Sequence, residues 1–172
     1  LNAQTISLRN IYPYTEGKFI LSLWSRLEKE KLVEEALLGT IPFLKNNPNS
    51  IFFIIGSGTL REKLERITRK NKLTQQVIFC GHQNHNFIKT IAQRSDFVLA
   101  PYSGFSLIEA AFFKCPVIAF NIEWHSELIQ DDVNGWLVDP RSYNKISDIL
   151  QHTYNDKDRR NKAQKLYNRA QQ

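Results

Sequence analysis

The 172 residues are 42% hydrophobic and carry a net charge of +6, which suits one domain able to bury about 70% of its unfolded surface in a core. No apolar run approaches the ~20 residues that a membrane span needs, and the two cysteines, Cys80 in an apolar run and Cys115 beside Pro116, are too few for a disulfide framework or a metal site. The positive charge is compatible with nucleic acid, an anionic membrane face or a phosphorylated small ligand, and does not by itself choose among them.

In chain order, residues 1–17 lack clear periodicity, contain Pro13 and Gly17, and read as a linker or edge segment; the domain proper is expected over 18–172. The absence of an initial Met suggests an excised piece. Phe19 to Trp24 is a first strand, and Ser25 to Lys31 a charged loop. Leu32, Val33, Ala36, Leu37, Ile41 and Leu44 then recur at helical spacing, with a kink expected at Pro42 and an end at Asn46-Asn47-Pro48. Ile51 to Ile55 is the unbroken apolar sequence of a strand buried on both faces, ending at Gly56-Ser57-Gly58. Leu60, Leu64 and Ile67 mark a helix with a basic solvated side. Val77 to Cys80 is a third strand and Gly81 opens its loop; Phe87, Ile88 and Ile91 mark a helix, and Phe97 to Ala100 a fourth strand.

The stretch from Ala100 to Phe120 organises the rest. It reads as strand, loop, a helix over Ser106 to Lys114, and a fifth strand released by Pro116 over Val117 to Phe120. A short helical piece near His125 to Gln130, a sixth strand at Trp136 to Val138, and helices over Tyr143 to Tyr154 and Asp156 to Gln172 complete the chain. Strands alternating with helices in this way predict an α/β fold with a Rossmann-like, doubly wound parallel sheet flanked by helices. In such a sheet the helix after the fourth strand points its N-terminal amides into the crevice at the strands' carboxyl edge, where an anion, most often a phosphate, binds. Glu109, about one turn into that helix, is placed to accept hydrogen bonds from the hydroxyls of whatever carries the phosphate.

Several pieces recur in a set order and spacing: Ser25-Arg26-Leu27 with Lys31 five positions after the Arg, Gly56-Ser57-Gly58 after a strand, Val77 to Gly81, Ser95 to Pro101, the Glu109-Ala110-Ala111 helix leading to Pro116 to Ala119, and Glu127 before Asn134 to Val138. Together they resemble the C-terminal half of a GT-B fold retaining glycosyltransferase, most like glycosyltransferase family 4. The resemblance covers about Phe19 to Ile149. It implies that Arg26 and Lys31 grip the diphosphate of a nucleotide sugar, one as a planar fork and one as a point charge. It implies also that Glu109 holds the ribose hydroxyls, that Gly104, Phe105 and Ser106 present amides to the phosphates, and that the loop His82 to Asn84, with Gln83 at its centre, flanks the nucleobase. The function implied is transfer of a sugar from a nucleoside diphosphate donor to a glycan or lipid-linked acceptor. The acceptor site would belong to an absent N-terminal domain, so this chain alone is expected to be inactive. The donor is a substrate, no metal or other cofactor is called for, and no nucleic acid is expected as partner. The setting implied is cytoplasmic, with the basic C-terminal helix, Lys157, Arg159, Arg160, Lys162, Lys165 and Arg169, facing either an anionic membrane or another domain.

Three departures stand out. Eight residues before Glu109 is Pro101, where the family has a glutamate expected to bind the donor sugar, so sugar contact falls to Tyr102, Ser103 or elsewhere. Lys114 stands where a glycine usually closes the helix, and a left-handed backbone there would cost about 1–2 kcal/mol. Glu123-Trp124-His125-Ser126 replaces a usual pair of glycines, which brings His125 near the ligand or leaves it as packing. Other readings are a nucleotide-sugar epimerase of the same architecture and a non-catalytic nucleotide-binding module. A dehydrogenase is disfavoured, because Gly56-Ser57-Gly58-Thr59-Leu60-Arg61 lacks the third glycine of the dinucleotide fingerprint. A receiver domain is disfavoured because Trp24-Ser25-Arg26 offers no acidic cluster.

Overall fold

The computed structural model describes residue 13 and residues 15–102 and 104–172; most of the linker expected over 1–17, and Ser103, therefore lie outside the described residues. Six strands form one parallel sheet: β1 (Phe19–Trp24), β2 (Ser50–Ile55), β3 (Val77–Gly81), β4 (Phe97–Ala100), β5 (Val117–Phe120) and β6 (Trp136–Val138). The helices between and after them are α1 (Val33–Asn46), α2 (Arg61–Lys70), α3 (His85–Arg94), α4 (Gly104–Phe112), α5 (His125–Leu128), α6 (Lys145–Thr153) and α7 (Arg159–Ala170). The strand order is β3-β2-β1-β4-β5-β6. The chain winds outward one way from β1 and then the other way from β4, so the loops leaving these two neighbours part and open a crevice at their carboxyl ends.

Every residue of β1, β2, β4 and β5 is buried, which explains why these strands lack the polar alternation of a sheet with one wet face. One face, with Leu21, Leu23, Phe52, Ile54, Phe97, Leu99, Ile118 and Phe120, packs under α1 and α6. The other, with Ile20, Trp24, Phe53, Val98, Ala100 and Ala119, packs under α3, α4 and α7 through Phe87, Ile91, Leu107, Ala110 and Leu166. Cys80 and Cys115 are buried free thiols, and burial pushes both up to about 12.

The helix expected from Leu32 runs from Val33 through Pro42 to Asn46 and ends where Asn46-Asn47-Pro48 was expected to stop it. The organising helix starts at Gly104, two residues before the expected Ser106, so Glu109 lies in its second turn. Its end is as anticipated: Lys114 is left-handed (φ 56°), with Cys115 N–H donating to Ala110 O at 3.0 Å and Lys114 N–H to Ala111 O at 3.0 Å, the paired bonds of a Schellman cap. The Lys114 ammonium lies 4.4 Å from the Tyr167 ring centroid, a cation–π contact that offsets part of that strain. Of the two places expected for His125, the structure gives it the packing one. It is buried, and its Nδ1–H donates to Phe120 O at 2.8 Å.

The C-terminal helix departs most from expectation. Arg159 donates to Asp96 at 2.7 Å and to the carbonyls of Thr153, Tyr154 and Asp156; Arg160 donates to Ser95 O, Lys162 to Asp132 Oδ1, and Arg169 to Glu127 O. Four of the six cations expected to form an outward basic face thus fasten α7 to neighbouring loops and helix ends, although Arg160 and Arg169 stay exposed along with Lys157 and Lys165. No helix among the described residues is long and apolar enough to cross a membrane.

Removing one partner of a buried ion pair strands the other charge, at a cost of about 3–5 kcal/mol. Asp96 and Arg159 are mostly buried, and Asp96 also accepts the Ile20 N–H at 2.9 Å. Arg159→Ala should therefore lower unfolding stability by about 3–5 kcal/mol in a urea titration, whereas Lys165→Ala should change it by less than about 0.5 kcal/mol. His125 adds a pH dependence. Burial lowers its pKa below the ordinary 6.5, so the unfolded chain takes up a proton that the folded chain refuses. Its contribution is intact above pH 6.5 and is lost as pH falls below that value. The urea midpoint of a His125→Asn variant should accordingly fall less steeply over that acid range than that of the parent chain.

Candidate functional site

Two loops are zipped together at the carboxyl edge. Beyond β1, Ser25 N–H donates to Ile55 O at 3.0 Å and Leu27 N–H to Ser57 O at 2.9 Å; beyond β2, Leu60 N–H donates to Leu27 O at 2.8 Å. The approach is close enough to demand glycine. A Cβ on Gly56 (φ +137°) would lie 1.8 Å from Ser25 O, and one on Gly58 would lie 2.5 Å from Leu27 O. Glu28 fastens the same pair of loops by accepting from Thr59 N–H at 3.1 Å and from the Thr59 hydroxyl, bonds that hold its carboxyl below the ordinary range. Arg26 stands at the centre of this zipper on a backbone bonded on both sides. Its side chain is 69% exposed and touches Glu30 at 3.4 Å, which leaves most of its guanidinium fork turned to the crevice.

Glu109 enters from the opposite wall. The α4 helix packs Leu107, Ala110 and Ala111 into the core, which turns Glu109 toward the end of β1. There the indole Nε1–H of Trp24 donates to Glu109 Oε2 at 2.7 Å, and His85 Nδ1, in the first turn of α3, lies 3.3 Å from Oε1. Trp24 is nearly fully buried, and a buried indole N–H seeks an acceptor. The carboxylate is therefore oriented before any ligand arrives, while its side chain stays 32% exposed. Each oxygen accepts up to two bonds, so acceptor capacity remains on both.

These walls enclose an open cavity of about 260 Å³ lined by Trp24, Arg26, Gly56, Gln83, Phe105, Ser106 and Glu109, among others. Of the residues that the sequence singles out, Arg26, Gln83, Phe105, Ser106 and Glu109 meet here. Gln83 is almost buried and spends an amide N–H on Cys80 O at 2.8 Å, Ser106 is buried, and Phe105 is 86% exposed at the mouth. Lys31 and Gly104 do not line the cavity. The Lys31 ammonium lies 5.0 Å from the Tyr102 ring centroid, and Gly104 abuts the Trp124 indole. Sequence reasoning missed Trp24 and His85. A tryptophan closing a buried strand was a usable signal, because its N–H needs a partner; nothing in the pattern pointed to His85. Among the described residues no group of three or more His, Cys, Asp or Glu side chains is arranged to hold a metal ion.

A family model described as glycosyl transferases group 1 matches residues 5–172. The poly(ribitol-phosphate) alpha-N-acetylglucosaminyltransferase of Staphylococcus aureus is 27% identical over 162 residues, 88% of this chain and 31% of that protein. The alpha-D-kanosaminyltransferase of Streptomyces kanamyceticus is 23% identical over 158 residues, 90% of this chain and 41% of that protein. The chain thus spans less than half the length of these relatives. Among solved structures, the C-terminal domain of the glycosyl transferase group 1 family protein LpcC from Francisella tularensis matches with a TM-score of 0.81 and 28% identity, covering 99% of this chain and 96% of that one. Anabaena HepE in complex with UDP and glucose matches with a TM-score of 0.84 over 99% of this chain and 48% of its own; at 19% identity the likeness is one of fold alone.

If the Trp24–Glu109 bond is the orienting contact, Trp24→Phe and Glu109→Leu should not be additive. A double-mutant cycle by urea unfolding should give a coupling energy of about 1 kcal/mol or more, within the range for directly bonded partners. Additive losses would mean that the indole contributes only its bulk.

Proposed function

Since the chain belongs to the glycosyl transferases group 1 family, we propose that it is the nucleotide-sugar-binding part of a retaining glycosyltransferase of the family 4 kind. The observation that carries this reading is the convergence, at the point where the strand order reverses, of an Arg fork, an oriented carboxylate and a helix N-terminus on one cavity. The ribose hydroxyls of a nucleoside diphosphate bond to Glu109, with its nucleobase beside Gln83. Its phosphates meet the positive end of α4, at Gly104, Phe105 and Ser106. Arg26 grips the diphosphate, and Lys31 supplies a second charge from the other side of the loop. As the bond from sugar to diphosphate breaks, negative charge grows on the departing phosphate oxygens. Donors already fixed in place stabilise that charge without reorganising.

The acceptor, a glycan or a lipid-linked glycan, is supplied by the rest of the protein, and these 172 residues alone bind a donor without transferring its sugar. A reacting pair needs both partners positioned. The two buried free thiols accord with a reducing, cytoplasmic setting. One observation favours a second reading: Pro101, buried after β4, carries no group that can bind a sugar, as a non-catalytic nucleotide-binding module would have it.

Calorimetric titration with UDP, GDP and uridine tests the assignment. Each charge-assisted bond is worth about 1.5–3 kcal/mol, so Arg26→Ala or Glu109→Ala should weaken UDP or GDP binding by roughly 10- to 150-fold. Arg26→Ala should affect the diphosphate much more than uridine, whereas Glu109→Ala should weaken both, because the ribose is common to them. Arg61→Ala, paired with Glu65 at 2.7 Å on α2, should bind as the parent chain does. Unchanged affinity in both site variants would sink the assignment.

A further inference from the structure

One face of the sheet is covered by α3, α4 and α7, and the outer surface of these helices differs from that of the opposite face in two ways. The first difference is apolar. Leu107, Ala110 and Ala111 turn α4 to the core, yet Phe105, Ile108 and Phe112, spaced three and four residues apart, stand on its solvent side, 86%, 40% and 47% exposed. The only other large apolar side chain so exposed among the described residues is Val133. The second difference is electrostatic. Neither α3 nor α7 contains an Asp or Glu, and the single carboxylate of α4, Glu109, is bonded to Trp24 in the cavity described above. Lys89, Lys114, Arg160, Lys165 and Arg169 are exposed on α3, on the turn after α4 and on α7. The helices of the opposite face are mixed in charge: α1, α2 and α6 carry Glu34, Glu35, Glu62, Glu65 and Asp148 among their cations. The apolar stripe and the cations adjoin. The Lys114 ammonium lies 4.4 Å from the Tyr167 ring centroid, and that ring meets Phe112 edge-on at 6.1 Å. Ile108 shares with Arg169 a cavity of about 510 Å³, walled also by Trp124, Leu128 and Glu127.

We propose that this face docks on the surface of an anionic lipid bilayer, with Phe105, Ile108 and Phe112 as shallow apolar anchors and the cations around them as partners of the lipid phosphates. Charge complementarity selects that occupant. An anionic bilayer presents continuous negative charge above an apolar layer, so cations on three neighbouring helix segments find a counter-charge at once, while the rings enter the boundary between headgroups and acyl chains. Neither contribution suffices alone. Three partly exposed side chains bury little apolar area, and the attraction between exposed charges is screened by salt. Together they supply the two signals that stable peripheral attachment needs. Phe105 belongs both to the stripe and to the lining of the cavity that holds Arg26 and Glu109. Docked in this way, the chain holds the mouth of that cavity at the lipid surface, where a lipid-linked acceptor would be met. That consequence rests on the donor-binding reading above; the docking itself does not.

Co-sedimentation of this chain with vesicles tests the proposal, using phosphatidylcholine alone and phosphatidylcholine mixed equally with phosphatidylglycerol, each at low and high salt. The parent chain should bind the anionic vesicles roughly ten-fold or more tighter than the neutral ones, and salt should weaken that binding. Lys89→Glu combined with Lys165→Glu should weaken it by roughly ten-fold or more. Phe105→Ser combined with Phe112→Ser should cause a loss of roughly the same size while leaving the salt dependence in place. The control is Arg66→Glu combined with Lys70→Glu, two exposed positions on α2. It changes the net charge equally but on the opposite face, and should weaken binding by less than about two-fold. A urea midpoint near that of the parent shows that each variant is folded. An equal loss in the α2 control would mean that total charge, and not this face, attracts the chain. A serine variant that binds as the parent does would mean that the stripe meets no lipid. Equal sedimentation with both kinds of vesicle, or with neither, would leave the face to another domain of the protein. Each of these three results overturns the proposal. Nucleotide titration is a separate readout, so loss of the docking surface leaves the donor site standing, and loss of the donor site leaves the docking surface.

Discussion

The contact on which the site depends is the backbone zipper between the loops leaving β1 and β2. The bonds from Ser25, Leu27 and Leu60 hold the two loops so close that no side chain fits at Gly56. A loop that must offer a cation to a ligand would otherwise be free to move, and ordering it on binding would consume part of the binding free energy. Here the backbone on both sides of Arg26 is already ordered. Only the long side chain, paired weakly with Glu30, remains to be ordered.

The same logic applies to Glu109 by a different device. A helix second turn would normally leave a carboxylate to sample several rotamers. The Trp24 indole, fixed by the buried end of β1, and His85, fixed by α3, together select one. The two walls of the cavity are therefore prepared in opposite ways: Arg26 has a fixed backbone and a loose side chain, whereas Glu109 has both fixed. In the donor site proposed above, a flexible cation would suit a diphosphate, whose charge is spread over many oxygens, and a fixed acceptor would suit ribose hydroxyls, which are few and directional.

The positive charge of the chain has a different use from the one its total suggests. Arg159, Arg160, Lys162 and Arg169 are bonded to carbonyls and carboxylates of the neighbouring segments. Their donors satisfy the exposed carbonyls of the loops that α7 covers, and Ala163 and Leu166 are the only residues that this helix buries in the core. A helix so polar docks through charge because it has little apolar surface to offer.

Much of this was legible in the sequence. The strands at Phe19 to Trp24, Phe97 to Ala100, Val117 to Phe120 and Trp136 to Val138 fall where expected, because an apolar run cut off by glycine, proline or charge leaves a buried strand as the only economical choice. The left-handed Lys114 was legible too, since it stands where the resembled family closes this helix with a glycine. Arg26, Gln83, Phe105 and Ser106 were singled out through the family resemblance, and Glu109 also by its place about one turn into the helix after the fourth strand. What the sequence could not decide was which side chains would face each other across the fold. Trp24 and Glu109 are 85 positions apart and Arg159 and Asp96 are 63 apart. A hydrogen bond depends on angstrom-scale placement that only the packed sheet supplies, and so the partners of Glu109, the burial of His125 and the partners of the α7 cations were settled by tertiary structure alone.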